Sequence, residues 1–126
     1  MHRSCLAGFI IDCKTDDLEG AARFWSAALG YELKPKSEES SPLYRTLLTD
    51  ERGLHVEVQK VEHDSRVHLD IETDDVEAEA QRLEALGAKR IGKVHTWIVM
   101  EAPTGQRFCL VRPQNDQFAS TANVWK

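Results

Sequence analysis

Three pairs of polar side chains stand two residues apart in stretches of alternating hydrophobicity. That spacing puts both members of a pair on one face of a strand. The pairs are His55 with Glu57, His68 with Asp70, and Arg107 with Cys109. His55, Glu57 and His68 together have the two-histidine, one-carboxylate composition of a non-haem iron facial triad. His68 beside Asp70 has the composition of an acid–base pair, suited to taking a proton from a bound ligand. Arg107 offers a two-pronged donor to a ligand carboxylate. Trp97, just ahead of Ile98-Val99-Met100, is either a stacking wall for an aromatic ligand or a core side chain. Each pair also has a plainer meaning as a solvated strand face, and Cys109 as a small hydrophobe. No Ser-His-Asp spacing, phosphate-cradling glycine loop or dinucleotide fingerprint occurs.

The elements that must hold these residues follow from the same pattern. Leu54, Val56 and Val58 alternate with His55, Glu57 and Gln59. Val67, Leu69 and Ile71 alternate with His68, Asp70 and Glu72, and Phe108 and Leu110 with Arg107, Cys109 and Val111. The apolar faces need cover, and two helical stretches supply it. One runs from Asp16-Asp17-Leu18-Glu19 to Leu29-Gly30, the other from Asp74-Asp75-Val76-Glu77 to Leu86-Gly87. They are offset by 58 positions at the start and 57 at the end, the mark of a duplicated β-α-β-β-β unit. Asp16 and Asp74 are expected as N-caps, with Glu19 and Glu77 at capping-box spacing. Gly30 and Gly87 are expected at the C-terminal caps. Further strands are expected near 6–12, 31–35, 43–49, 89–94 and 96–101. Residues 36–42 read as a polar loop, and Phe118 and Trp125 as anchors of a tail onto the body or a partner.

The chain has 126 residues, enough for one domain with an ordinary core. Its net charge of -5, with scattered basic residues, argues against duplex nucleic acid and against a membrane surface. No apolar run is long enough to span a bilayer, and no signal-peptide pattern opens the sequence. A cytoplasmic protein is expected. Cys5, Cys13 and Cys109 are odd in number and form no C-x-x-C pair, which argues against a disulfide framework or a structural zinc site.

Taken together, these stretches resemble the vicinal oxygen chelate superfamily of glyoxalase I, bleomycin-resistance proteins and extradiol dioxygenases. The small glyoxalase-like domain proteins are the nearest in look. The residues that carry the resemblance are Asp16-Asp17-Leu18, Arg23-Phe24-Trp25 and Leu29-Gly30-Tyr31 in the first half. In the second they are His68-Leu69-Asp70-Ile71, Asp74-Asp75-Val76, Leu86-Gly87-Ala88 and Pro103-Thr104-Gly105-Gln106-Arg107-Phe108. The resemblance implies an α+β fold of two βαβββ modules, about 5–60 and 66–112, with a tail over 113–126. The modules would form a curved mixed sheet, a half-open barrel with its helices outside and a cup for a small organic ligand. It also implies a homodimer.

Metal-dependent members place one ligand in each of four slots. By position these are Gly8, with a two-residue insertion taken at Lys14-Thr15, then Glu57, His68 and Cys109, so two slots match and two do not. Glu57 and His68 alone would hold a divalent metal weakly, and Cys109 as thiolate would complete a set suited to softer ions. The resemblance therefore implies a small-molecule-binding, sequestering or resistance-type protein with an incomplete metal-ligand set. The alternative is a metal-dependent lyase, isomerase or dioxygenase using Glu57 and His68. The expected ligand-binding residues are Glu57, His68, His55, Asp70, Trp97, Arg107 and Cys109.

Overall fold

In a computed structural model the described residues are 1–49, 54–114 and 116–126. Among the described residues, eight strands and three α-helices make an α+β fold: β1 (His2–Lys14), α1 (Leu18–Leu29), β2 (Tyr44–Leu47), β3 (His55–Val61), β4 (Arg66–Thr73), α2 (Val76–Ala85), β5 (Lys89–Val94), β6 (Trp97–Glu101), β7 (Arg107–Val111), α3 (Phe118–Thr121) and β8 (Asn123–Trp125). They fall into two compact units. The first is Gly8–His68; the second joins Met1–Ala7 to Leu69–Lys126.

Both long helices begin one residue later than the sequence suggested. The caps are Asp17 and Asp75, whose carboxylates accept from the backbone N–H of Gly20 at 2.9 Å and of Ala78 at 3.0 Å. Asp16 and Asp74 do other things. Asp16 is exposed, and Asp74 accepts the backbone N–H of Arg3 at 2.8 Å. A two-Asp start leaves the choice of cap to the helix's apolar register, and Leu18 and Val76 set that register. Gly30 closes α1 in the left-handed region, with φ 77°.

In the first unit, β1 pairs in parallel with β3 from Gly8↔His55 to Lys14↔Val61, and β2 pairs antiparallel with β3. Ile11, Leu47 and Val56 form the buried core, with Phe9, Trp25, Tyr31 and Leu33 packed on it. Trp25 is thus a core-side residue of α1. The strand expected over 31–35 is one bridge, Leu33↔Leu47. Pro35 follows with no N–H to offer a ladder. The polar loop that comes next holds a 3₁₀ turn over Lys36–Glu38 and then folds back. Its Glu39 carboxylate accepts the Thr46 hydroxyl at 2.8 Å. Buried Arg45 donates to Glu19 and to the Lys34 carbonyl.

In the second unit, β4 pairs in parallel with β7, which pairs antiparallel with β6, and β6 with β5. Ala80, Ile98, Met100 and Leu110 are buried, with Ile71, Val76, Leu83 and Phe108 packed against them. The tail folds onto the body. Phe118 is buried, and β8 pairs antiparallel with His2–Ser4. The Trp125 indole N–H donates to the Ser4 hydroxyl at 2.8 Å, and the Arg82 guanidinium lies 3.9 Å over its ring.

Candidate functional site

In each unit the helix covers one sheet face, and the other face carries the polar side chains. In the first unit Val56 packs in the core, so its neighbours His55 and Glu57 stand on the opposite face. The register places Thr46 beside Glu57, Tyr44 beside Gln59 and Asp12 beside Gln59. His55 Nε2 and Glu57 Oε1 are 2.5 Å apart, as two residues on one strand face allow. Gln59 donates to the Tyr44 hydroxyl at 3.1 Å. His68 Nδ1 lies 2.7 Å from Asp12 Oδ2.

Asp12 did not stand out among the candidate residues of the sequence. It ends the apolar run Phe9-Ile10-Ile11 and is only 2% exposed. An acid at the end of an apolar strand is out of pattern, and that was the available signal. A carboxylate buried this far costs several kcal/mol unless it is paired. Its Oδ2 meets His68 and has the Arg66 Nε at 3.8 Å, while its Oδ1 has no hydrogen-bond partner.

The second unit's polar face carries the remaining candidates. Asp70 lies directly opposite Cys109, and Cys109 opposite Val99. Arg107 lies opposite Glu101 and donates to it through Nε at 3.1 Å, a partner the sequence did not suggest. Trp97 opens β6, half-buried, two residues before Val99 on the same face. Its ring lies 5.5 Å from that of His95, whose φ of 51° is left-handed. The candidates therefore divide: His55, Glu57 and His68 belong to the first unit, and Asp70, Trp97, Arg107 and Cys109 to the second. All three cysteines are half-buried. Burial pushes the thiols of Cys5 and Cys13 above their ordinary value; near Cys5 the Glu72 charge adds to it, and at Cys13 a bond to Trp25 opposes it. Neither is poised as a nucleophile.

Gly8 stands at the position that the resemblance would make the first metal slot. Gly8 has no donor to offer, and a Cβ built there would lie 1.8 Å from the backbone oxygen of His55. The close approach of β1 to β3 excludes any ligating side chain at that point, unless the pairing itself shifts. Glu57 and His68, the two positions expected to match that set, are in contact with His55 and Asp12.

The glyoxalase-like domain family matches residues 8–111. The chain belongs to the glyoxalase-like domain family. Its fold is that of the vicinal oxygen chelate superfamily, and solved structures agree. A NAD-dependent benzaldehyde dehydrogenase from Legionella pneumophila superposes with a TM-score of 0.61 at 12% identity, over 84% of this chain and 99% of that one. Methylmalonyl-CoA epimerase from Mycobacterium tuberculosis gives 0.56 at 15%, over 90% and 91%. A glyoxalase/bleomycin resistance protein/dioxygenase superfamily member from Vibrio splendidus 12B01 gives 0.50 at 19%, over 87% and 99%. At these identities the glyoxalase-like chain shares a fold with them and nothing finer. No curated protein matches it.

Proposed function

We propose that this glyoxalase-like protein binds a small organic molecule, as a sequestering or resistance-type binder, without the superfamily's complete metal set. The observation that carries the reading is the contact at Gly8, the position the resemblance makes the first metal slot, where a Cβ would lie 1.8 Å from the His55 oxygen. The polar face of the first unit supports it further. Glu57, His55, His68, Gln59 and Tyr44 supply hydrogen-bonding groups there, the usual means of orienting a ligand. Trp97 and Arg107 are a second set of candidate contacts, one for stacking and one for a carboxylate once Glu101 yields it.

The test combines metal analysis with thermal shift. Protein purified without chelator should carry no stoichiometric metal, and zinc, nickel, manganese or iron should not raise its Tm. A panel of small aromatic and carboxylate-bearing compounds should give shifts that Glu57→Ala or His68→Ala diminishes. Stoichiometric metal that either substitution abolishes would overturn the proposal in favour of a metal-dependent enzyme.

A further inference from the structure

Helix α1 is covered on one side only. Leu18, Ala22 and Trp25 face the core, Leu18 and Ala22 buried and Trp25 packed upon it. A turn of about 100° per residue puts Gly20, Arg23, Phe24, Ala27 and Ala28 on the opposite side. Arg23, Phe24, Ala27 and Ala28 are exposed, Phe24 by 62%. The outer side of a surface helix is ordinarily charged and polar. Here it is apolar save for one cation. The Phe24 ring meets Trp25 edge-on, with centroids 5.1 Å apart, a contact that holds the ring without burying it. Arg23 has no ionic or hydrogen-bonding partner among the described residues. Glu19, one turn earlier, is the partner that helical spacing offers it. Glu19 instead pairs with Arg45 and Lys36.

The repeat shows what this side of the helix carries when it is covered. At the 58-residue offset of the two helix starts, Ala21 corresponds to Glu79 and Phe24 to Arg82. On α2 those two residues are the ones that the chain's own ends cover. Glu79 is fully buried against His2, and the Arg82 guanidinium carbon lies 3.9 Å from the centre of the Trp125 ring. That contact is a cation on an aromatic face. The chain has one such tail, and α2 holds it. On α1 the helix itself supplies the aromatic, Phe24, with the bare cation of Arg23 beside it. One helix cannot stack the two on each other, because residues adjacent in sequence point apart. Two helices can.

We propose that the outer side of α1 docks a second copy of this chain, with α1 antiparallel to the partner's α1 across a two-fold axis. The small side chains let the helices approach closely. Phe24 lies over the partner's Ala27, one turn from the partner's Arg23, whose guanidinium stacks on the ring. The two-fold axis repeats the contact, so the unmatched ring and the unmatched cation of each copy are both matched. A standard interface takes about 800 Å² from each partner, more than one helix side supplies, so the dimer is a weak one that dissociates in the micromolar range. This surface lies on the helix side of the first unit, away from its polar sheet face, and the proposal is independent of what that face binds.

Sedimentation velocity of the full chain across the micromolar range tests it. The wild type should pass from monomer to dimer as concentration rises. Phe24→Glu should raise the Kd by about thirtyfold or more, the loss expected of a central aromatic anchor. Arg23→Ala should raise it by about fivefold, for two lost cation–π contacts. Leu86→Glu, at a leucine 67% exposed at the end of α2, should leave it unchanged. Circular dichroism checks each fold. Should Phe24→Glu fail to fold, Ala27→Glu, at an exposed helix position, carries the decision with the same expected loss. A wild type that stays monomeric overturns the proposal. So does a dimer that survives Phe24→Glu or Ala27→Glu, or one that Leu86→Glu weakens as much.

Discussion

At the scale of single residues, Gly8 and Gly30 separate two reasons for having no side chain. At Gly8 the obstacle is an atom: a Cβ would sit 1.8 Å from the His55 oxygen. At Gly30 nothing lies within 4 Å, and the obstacle is the left-handed φ of 77°. Gly30→Ala is expected to cost about 1 kcal/mol, the usual strain of a side chain in that region. Gly8→Ala forces β1 away from β3 and is expected to cost at least about 2 kcal/mol, at the upper end of overpacking effects. Urea unfolding of the two variants compares them directly. A Gly8→Ala protein no less stable than Gly30→Ala would mean that the two strands part easily and that the close approach at Gly8 does not exclude a side chain. The polar residues show what sequence can reveal at this scale. His55 and Glu57 were legible because strand alternation puts them together. Asp12 was not, because its partner His68 lies 56 residues away and no local pattern links them.

At the scale of elements, both helices, their acid-led starts and the alternation of β3, β4 and β7 were readable, since each depends on neighbours within a few positions. The cap shift to Asp17 and Asp75 and the loss of a strand at 31–35 were not, because adjacent acids and a proline decide them only in the folded context. The tail's pairing with β1 was equally hidden, a contact between opposite ends of the chain. It is joined to α2 through Glu79, whose side chain is fully buried. His2 Nε2 lies 2.8 Å from its Oε1, and Arg82 grips both oxygens at 2.8 and 2.9 Å. Burial opposes ionisation of Glu79, but bonds from Arg82, His2 and Ser4 and the charge of Arg82 outweigh it, holding the carboxyl at about 2 against an ordinary 4.5. The folded state therefore binds this proton less readily than the unfolded chain. The contribution of Glu79 is fully present above an ordinary carboxylate pKa and is lost as pH falls from there towards 2. Its size is roughly 3 kcal/mol at most. Glu79→Gln should lower stability near neutral pH by about 1–3 kcal/mol, Arg82 being partly exposed, and should flatten the acid limb of stability against pH. Unfolding free energies measured between pH 6 and 2.5 decide it; parallel curves for wild type and Glu79→Gln would remove Glu79 from the account.

At the scale of the whole molecule, the sequence repeat and the compact units do not share boundaries. The duplication suggested halves of about 5–60 and 66–112, whereas the N-terminal stretch Met1–Ala7 belongs with Leu69–Lys126. The reason lies in what holds that stretch. Arg3 exchanges bonds with the start of α2, its N–H to Asp74 and its carbonyl accepting from the Thr73 hydroxyl. The tail occupies the other edge, with His2 paired to Trp125 and Ser4 to Asn123. A stop after Arg112 removes β8, the buried Phe118, and the Trp125 ring beneath Arg82. Its consequence should be local to the second unit. Native-state hydrogen exchange should show the amides of His2 and Ser4 losing at least about tenfold of their protection, as expected where a paired edge is laid open to water. The amides of β3 within Val56–Lys60, held by β1 and β2 of the first unit, should change far less. Equal loss across both units would mean that the tail stabilises the fold as a whole, and no loss at His2 and Ser4 would mean that β8 is not paired with β1 in solution.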